Sequence, residues 1–394
     1  MSGPGSLPVA RYAGRLAAAR RATAAAGLDA LLVGVGADLR YLAGYAALPL
    51  ERLTLLVIPA SGDAPMTLIA PRLEATPARS CPGVLSGAVV VATWEETEDP
   101  MALVARTIAM AHATGPDGAA PATAVAVSDG LRAAFLLGFQ RVLPIVRFSL
   151  ASTVLRSIRM RKDPDEVALL RRAAHAADRV VLAIAAGALV GRAEADVARE
   201  IRERLIAEGH ELATFSIVAA GPNSASPHHD PGSRVIAAGE PIVIDIGGTI
   251  EGYGSDITRT VWVTGGDPAR GPSLAFLELY GTLQAAQAAA TAAVRPGIPC
   301  ERIDAVARDR IAAAGYGEAF IHRTGHGIGL DGHEDPYIVA GNLEPLEAGV
   351  AFSIEPGIYL EGRFGARIED IVVCGETGPD VLNEATRDLL VVRG

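Results

Sequence analysis

Hydrophobic and polar positions follow different patterns in the two halves of this chain of 394 residues. Between residues 10 and 150, short apolar runs typical of strands alternate with amphipathic segments rich in Ala, Arg and Leu. This alternation predicts an α/β layer around a parallel or mixed sheet. Neither GxGxxG nor GxxxxGKS/T follows any of the runs, so we assign no chemistry to this half. The runs are DALLVGV (29–35), RLTLLVIP (52–59), AVVVATW (88–94) and TAVAVS (123–128).

A charged stretch at 155–166 separates the halves and ends in a strong helix start. An aspartate can cap this helix, a proline suits its first position, and a glutamate three residues after the cap completes a capping box. These residues are Asp163, Pro164 and Glu166. We therefore predict an N-terminal domain over 1–155 and a C-terminal domain over 156–394.

The residue pattern of the second half predicts four helices, together with strands joined by Gly/Pro loops. The first helix extends from the capping box to about Ala188, and the second covers 194–209 and ends on Gly209. Two more helices lie near 273–293 and 301–314. This order is typical of an α+β domain in which helices cover one face of a curved antiparallel sheet.

Two segments of the second half, 242–263 and 351–373, share one pattern. Each shows a strand, a Gly-rich turn that begins Glu-Gly, and a second strand, with one acidic residue on each arm. We predict two hairpins from a duplicated unit, in which antiparallel pairing brings both carboxylates together among apolar neighbours. The acidic residues are Asp245 and Asp256 in the first hairpin, and Glu355 and Glu369 in the second.

Four carboxylates in buried strands cannot all stay ionised without a compensating charge, and divalent cations are the most economical source of it. His326 lies between glycines in HRTGHGIGLDGHEDP (322–336), where the backbone can approach a site closely, and it offers a fifth ligand. An oxygen-rich set with one imidazole favours Mn or Co over a structural zinc. Two such ions neutralise the carboxylates and lower the pKa of a shared water toward neutrality.

Other polar residues in these motifs can act without binding a metal. His228 in GPNSASPHHDPG and His333 in HEDP can hydrogen-bond a substrate carbonyl or the developing oxyanion. Arg367 and Thr258 each lie two residues from a carboxylate and share its strand face, so the arginine can hold a ligand carboxylate or a substrate terminus. The other histidines are expected to support the site (His229, His322) or to lie on the surface or in helices (His112, His175, His210).

Composition excludes several functional classes. The chain is 50% hydrophobic and 20% charged, and its net charge of −10 argues against nucleic acid or an anionic membrane as a partner. No run is long enough to span a bilayer, and residues 1–30 lack the apolar core of a signal peptide, so we expect a soluble cytoplasmic protein. Lys162 is the only lysine among 35 basic residues, which indicates a compositional bias toward arginine.

Three cysteines, in no CxxC spacing, fit a reducing compartment. Cys300 and Cys374 are expected to be small apolar residues of the core.

Together these motifs resemble the creatinase/prolidase (pita-bread, M24) family of metallopeptidases, and in particular its Xaa-Pro dipeptidase and aminopeptidase P branch. Residues 29–45 are similar to the family's N-terminal domain, 155–173 to the segment between its domains, and 215–372 carry its active-site motifs. The resemblance implies a smaller α/β creatinase-like N-terminal domain followed by an α+β pita-bread catalytic domain.

The resemblance also implies two divalent ions per subunit, Mn first and Co or Zn as alternatives. Asp256 and Glu369 would bridge the ions, and Glu355 would also pass a proton from water to the leaving amine. The full ligand set implied is Asp245, Asp256, His326, Glu355 and Glu369.

Three further residues match the family's substrate-binding positions. By resemblance, His228 and His333 contact substrate and intermediate, and Arg367 is the arginine beside the second bridging glutamate. The doubled histidine at 228–229 leaves open which imidazole faces the substrate.

The implied activity is hydrolysis of the Xaa-Pro bond at the N-terminus of dipeptides or short peptides by a metal-activated water, in a homodimer. An X-Pro bond lacks the N–H that ordinary proteases bind, so it needs a dedicated site. Chain length does not decide between a dipeptidase and an aminopeptidase. The alternatives are a metal-dependent hydrolase of another small amide, a metal-independent creatinase-like amidinohydrolase and a metal-free interaction module. The complete set of five ligands argues against the last two.

Overall fold

The computed structural model describes residues 7–62, 64–113 and 121–394, except for the side chains of residues 112 and 113. The start of the segment considered for a signal peptide, residues 1–6, lies outside this part. The chain divides into two units, Met1–Arg159 and Met160–Gly394. None of the described helices is both long and apolar enough to cross a bilayer.

A six-stranded mixed sheet forms the centre of the N-terminal unit. Its strands are β1 (Ala30–Gly34), β2 (Leu55–Pro59), β3 (Met66–Pro71), β4 (Val89–Trp94), β5 (Ala124–Val127) and β6 (Arg147–Leu150). The order is β4-β3-β2-β1-β5-β6, with β2 antiparallel to both neighbours and the other pairs parallel. The expected α/β layer is confirmed, although β3 and β6 were not among the predicted strands.

Helices follow most strands of this sheet. The described helices are α1 (Val9–Ala25), α2 (Ala37–Ala43), α3 (Ala75–Ser80), α4 (Pro82–Leu85), α5 (Pro100–Ala113), α6 (Ala133–Val142) and α7 (Ser152–Met160). Apolar side chains of α5 and α6, including Val104, Ile108 and Phe139, pack against Leu55 and Val125 of the sheet. None of the predicted site residues belongs to this unit.

The first helix of the C-terminal unit, α8 (Pro164–Ala185), begins with the predicted capping box. Asp163 Oδ1 accepts from the backbone N–H groups of Asp165 and Glu166 at 2.9 and 3.0 Å, and the Asp163 N–H donates to Glu166 Oε2 at 3.0 Å. The other three predicted helices are confirmed within a few residues as α9 (Glu194–Ala207), α10 (Leu274–Ala293) and α11 (Cys300–Ala313).

The strands of this unit form two five-stranded sheets and a separate two-stranded pair. They are β7 (Leu212–Ala220), β8 (Glu240–Ile250), β9 (Tyr253–Gly254), β10 (Ile257–Val263), β11 (Gly325–Gly327), β12 (Glu334–Ile338), β13 (Ala351–Ile354), β14 (Gly357–Leu360), β15 (Phe364–Arg367), β16 (Asp370–Cys374), β17 (Pro379–Val381) and β18 (Leu390–Val392). The first sheet has the order β18-β10-β8-β7 with β9 on β8, and the second has β12-β11-β13-β16-β17. All pairs are antiparallel except β10 with β18.

Two helices cover each five-stranded sheet. Val180 of α8 and Ile201 of α9 belong to one apolar cluster with Ile244 of β8. Leu283 of α10 belongs to another cluster with Phe352 of β13, and this cluster includes the fully buried Cys300 and Cys374. The α+β fold with helices on antiparallel sheets is confirmed, as is the core position of these two cysteines.

The two predicted hairpins differ in construction. The first is continuous from β8 to β10, and its turn residues Glu251 and Gly252 have φ values of 52° and 85°, as a tight hairpin turn requires. The second is divided after Glu355, because Pro356 has no N–H to donate to the ladder. The strands far from its turn, β13 and β16, pair within the second sheet, whereas β14 and β15 beside the turn form the separate pair. The sequence pattern that the two segments share therefore does not produce two equivalent hairpins.

Candidate metal centre

The five residues predicted to bind metal line one cavity of about 840 Å³ in the C-terminal unit. Strand geometry positions each of them, because all lie in a strand or directly beside a strand end. Asp245 lies within β8, Asp256 precedes β10, His326 is the central residue of β11, Glu355 follows β13 and Glu369 precedes β16.

The ligand atoms converge around the imidazole of His326. Its Nε2 lies 3.2 Å from Glu355 Oε1 and 3.7 Å from Asp256 Oδ2. Asp256, His326 and Glu369 each offer a ligand atom within 4.8 Å of the others. His326 Nδ1 lies 3.1 Å from the carbonyl oxygen of Gly327. That oxygen can only accept, so Nδ1 carries the proton and Nε2 is available as a ligand.

Burial and mutual repulsion change the proton affinity of these carboxyls. Burial, with the charge of Asp245, raises the pKa of Asp256 well above its usual value. Burial, with the charge of Asp256, does the same to the pKa of Glu369. Burial raises the pKa of Asp245 too, although the guanidinium of Arg367 opposes the shift. A cluster of this kind binds protons or cations strongly.

Glu355 shows the opposite shift. Burial favours its neutral form, but the hydrogen bond and charge of His326 outweigh burial and lower the pKa of Glu355 to about 2. Burial also opposes a charge on His326, yet Glu355 and Asp256 raise the pKa of this histidine. A divalent cation would compete with the proton that these groups share.

One buried atom gives an independent test of whether a cation fits. Asp245 Oδ1 is buried and has no hydrogen-bond partner among the described residues. Buried acceptors in folded proteins almost always have a partner, and a cation is the partner that suits a carboxylate oxygen in a cluster of carboxylates. Four carboxylates and one imidazole also match the ligand preference of Mn²⁺. The residues therefore fit divalent metal.

Arg367 connects the two acidic pairs. Its Nη2 donates to Asp245 Oδ2 at 2.5 Å, and its Nε donates to Thr258 Oγ1 at 3.0 Å. The Thr258 hydroxyl in turn donates to Glu369 Oε2 at 2.7 Å. Arg367 thus points into the site with Thr258 and orients one carboxylate from each pair.

A buried tyrosine and the carbonyl oxygen of Pro227, which lies 3.2 Å from Nη1, complete the contacts of this arginine. Nη1 of Arg367 donates to the Tyr359 hydroxyl oxygen at 2.8 Å, and burial raises the pKa of Tyr359 to about 12. His322 Nδ1 lies 2.8 Å from the Arg323 carbonyl and Nε2 lies 2.9 Å from the Tyr359 hydroxyl. Burial lowers the pKa of His322, so its neutral ring donates through Nδ1 and accepts the tyrosine proton at Nε2.

The doubled histidine at 228–229 occupies two environments. His229 Nε2 lies 2.8 Å from Oε2 of Glu194, a fully buried carboxylate at the N-terminus of α9, and 3.2 Å from Asn223 Nδ2. His228 lines the same cavity and has no hydrogen bond to another described residue. His229 is therefore held by the protein, whereas the ring of His228 is available to a ligand.

His333 lies against His326, with ring centroids 3.9 Å apart. Burial, together with the positive charges of His326 and Arg323, lowers the pKa of His333 to about 4. The ring is consequently neutral near pH 7. Its Nδ1 lies 3.4 Å from Arg323 Nη2, which can only donate, so Nε2 carries the ring proton and can donate it in the cavity.

The remaining histidines lie away from the ligands. His175 lies in α8, and the backbone of His112 lies in α5. The expectation for His210 is wrong, because this residue is buried after the end of α9. Its Nδ1 and Nε2 lie 3.1 Å from the Leu205 carbonyl and 2.9 Å from Ser255 Oγ, and burial lowers its pKa.

Sequence reasoning did not single out four polar residues of this region. Tyr359 and Glu194 act through Arg367 and His229, and such long-range contacts leave no local pattern. Arg202 and Arg323 line the cavity. The position of Arg323 directly after His322, within a glycine-rich histidine motif, was an available signal.

Comparison with known proteins identifies the family of the chain. The chain matches Metallopeptidase family M24 over residues 168–376 and the Creatinase/Prolidase N-terminal domain over residues 15–161. It is 46% identical over 382 residues to the probable dipeptidase PepE of Mycobacterium tuberculosis, covering 97% of this chain and 96% of that protein.

Solved structures show the same similarity. The dipeptidase PepE from Mycobacterium ulcerans has 47% identity and a TM-score of 0.89, covering 98% of this chain and all of that one. The recombinant prolidase from Thermococcus sibiricus has 35% identity and a TM-score of 0.88, with the same coverage of both chains.

Proposed function

Because the chain belongs to metallopeptidase family M24, we propose that it hydrolyses the Xaa-Pro bond of dipeptides with two divalent cations in its carboxylate cluster. The observation that carries the proposal is the convergence of four carboxylates and one imidazole, with the buried Asp245 Oδ1 lacking a partner among the described residues. Three of the carboxylates are buried, and that of Glu355 is 16% exposed. The ligands we assign are Asp245, Asp256, His326, Glu355 and Glu369.

The ions, Mn²⁺ in this proposal, supply Lewis acidity and a water of lowered pKa. The protein holds the ligands in place. Arg367 and Thr258 keep the carboxylates of Asp245 and Glu369 oriented through direct hydrogen bonds. Such preorganisation lowers the barrier because the donors need not move during the reaction.

Three residues act on the substrate itself. Glu355, one of the assigned ligands, accepts a proton from the attacking water and transfers it to the prolyl nitrogen as the C–N bond breaks. His228 and the neutral His333 line the cavity and donate to the carbonyl oxygen as negative charge develops there. With this proton the prolyl nitrogen leaves as a neutral secondary amine rather than as an amide anion.

A free carboxylate on a short substrate matches the cationic side chains of the cavity. Arg202 donates to Ser216 Oγ at 2.6 Å, and Arg323 stacks on Tyr337 at 4.3 Å. Neither guanidinium forms an ion pair with a carboxylate of the described residues. The relatives named dipeptidase and prolidase agree with this substrate size.

Peptide hydrolysis tests the proposal. Chelator-stripped protein is assayed with and without Mn²⁺ on Ala-Pro, Ala-Pro-Ala and Ala-Ala. We expect metal-dependent cleavage with Ala-Pro as the preferred substrate. Preference for Ala-Pro-Ala would make the protein an aminopeptidase, preference for Ala-Ala would overturn the proline specificity, and cleavage of none would redirect the search to other small amides.

We extend the proposal to a homodimer in the cytoplasm. The family resemblance supports the dimer, and three free, buried cysteines suit a reducing compartment. Sedimentation velocity checks the dimer, since a species of twice the 40.6 kDa chain mass is expected. A single species of chain mass would contradict it.

A further inference from the structure

The only lysine of the chain occupies a buried position. Of the 35 basic residues 34 are arginine, yet position 162 is lysine. Its side chain is 1% exposed, whereas the neighbouring Arg161 is 54% exposed. The one exception to the use of arginine is therefore a buried position, where the ammonium group has specific contacts.

Lys162 connects the start of the C-terminal unit to the histidine segment of the site. Its Nζ forms an ion pair with Oε1 of Glu334 and donates to the carbonyl oxygen of Met160 at 3.2 Å. Glu334 is the first residue of β12 and directly follows His333. Across the ladder it pairs with Gly327, the neighbour of His326. The ion pair thus holds the segment 327–334 at the end that carries His333.

The space around this ion pair is narrow. A Cβ on Gly329 would lie 2.7 Å from Glu334 Oε1 and 3.1 Å from Lys162 Cε. The backbone N–H of Lys162 is fixed by the Gly349 carbonyl at 2.8 Å. A guanidinium is planar, wider and carries five donors, so it does not fit where one ammonium donates to two acceptors. This accounts for lysine at a position where arginine would carry the same charge.

We propose that Lys162 is a positioning residue for catalysis, whose ion pair with Glu334 holds His333 beside His326 and toward the substrate. The inference rests on the proposed function in one respect, the contact of His333 with substrate. Removing one member of the pair leaves a buried charge without its partner, so the segment must move to reach water. His333 then loses its orientation while the metal ligands remain.

The experiment compares K162M, K162R, E334Q and the double variant K162M/E334Q in the metal-loaded enzyme. Arg161→Met is the matched control, since it breaks the adjacent but exposed pair with Glu347 at 2.7 Å. We expect K162M and E334Q to lower kcat/KM by roughly 10- to 100-fold with bound metal unchanged, as for residues that orient a reacting group. K162R does not rescue, and R161M stays within about twofold of wild type. Wild-type activity of K162R or K162M would overturn the inference.

A comparison in an H333A background excludes a merely structural role. If Lys162 acts through His333, K162M causes no additional loss in an H333A background, and an additive loss would contradict the inference. Should K162M alone fail to fold, the double variant, which leaves neither charge unpaired, is measured in its place.

Histidine-selective ¹⁵N spectra need no substrate, so they separate this inference from the proposed function. The His333 resonances are expected to shift in K162M but not in R161M. Unchanged His333 resonances would contradict the inference even if wild-type protein cleaves no peptide.

Discussion

Arg367 donates to Asp245 at 2.5 Å although the two residues are 122 positions apart in the chain. The contact brings a guanidinium into a cluster of four carboxylates, and the same side chain reaches Glu369 through Thr258. A residue that binds no metal therefore sets the orientation of carboxylates on both sides of the site. The first prediction follows from this arrangement.

Replacement of Arg367 by lysine removes the fork that serves four acceptors at once. An ammonium can replace the charge but not the simultaneous bonds to Asp245, Thr258, Tyr359 and the carbonyl oxygen of Pro227. We expect metal affinity to fall by roughly 10- to 100-fold, with a matching loss of kcat/KM. Competition against a fluorescent chelator measures the affinity. Arg363→Lys, in the exposed turn of the same strand pair, is the control, and equal effects of the two variants would contradict the role of Arg367.

Glu369→Gln should separate metal binding from stability. The variant loses a carboxylate ligand, so stoichiometric metal and turnover are lost. Burial and the neighbouring carboxylates raise the pKa of Glu369, so its ionisation destabilises the folded state. At alkaline pH, where the wild-type carboxyl is ionised, the metal-free variant is therefore more stable by on the order of 1 kcal/mol. Thermal unfolding of chelator-treated protein measures the second effect. Glu376→Gln, at an exposed position nearby, changes neither property, and a less stable metal-free E369Q would argue against the repulsion.

Metal binding should release protons. The pKa values of Asp256, Glu369 and His326 are raised, so these groups hold protons to higher pH than usual, and a cation must displace them. Apparent metal affinity therefore increases with pH, and fewer protons are released as pH rises through the raised pKa values. Calorimetric titration with Mn²⁺ in buffers of different ionisation enthalpy, between pH 6 and 8, counts the protons. Buffer-independent heats at pH 6 would show that the groups are already ionised.

The two adjacent histidines should respond differently to alanine. His228→Ala removes a ring that forms no hydrogen bond with another described residue, so it lowers kcat by roughly 100-fold and leaves stability unchanged. His229→Ala leaves the buried Glu194 without one of its donors, which costs about 1–3 kcal/mol of unfolding free energy. Kinetics and denaturant unfolding of both variants give the comparison. The reverse pattern would assign the substrate contact to His229.

Local patterns predicted a large part of this structure. The capping box at Asp163, the four helices that follow and the acidic residues beside Ile, Val and Phe all depend on neighbours within a few positions. These features were therefore visible in the sequence. The strand β3 was not, because MTLIAP mixes residues that favour strands with Ala and Pro.

Contacts between distant segments account for the features that the sequence did not predict. Pro356 divides the second hairpin. Its strands β13 and β16 belong to the second sheet because β13 also pairs with β11, a segment distant in the chain. The burial of His210 depends on Ser255, 45 positions away. The ion pair of Lys162 with Glu334 spans 172 positions, so the single lysine was noticed as a compositional feature only.

The central claim is that two cations bound by five protein ligands make this chain an Xaa-Pro dipeptidase. Its most direct test is stepwise addition of Mn²⁺ to metal-stripped protein, with bound metal and Ala-Pro hydrolysis measured on the same samples. The account predicts no hydrolysis without metal and full activity at two ions per chain. Full activity in the stripped protein, or a plateau at one ion per chain, would contradict it.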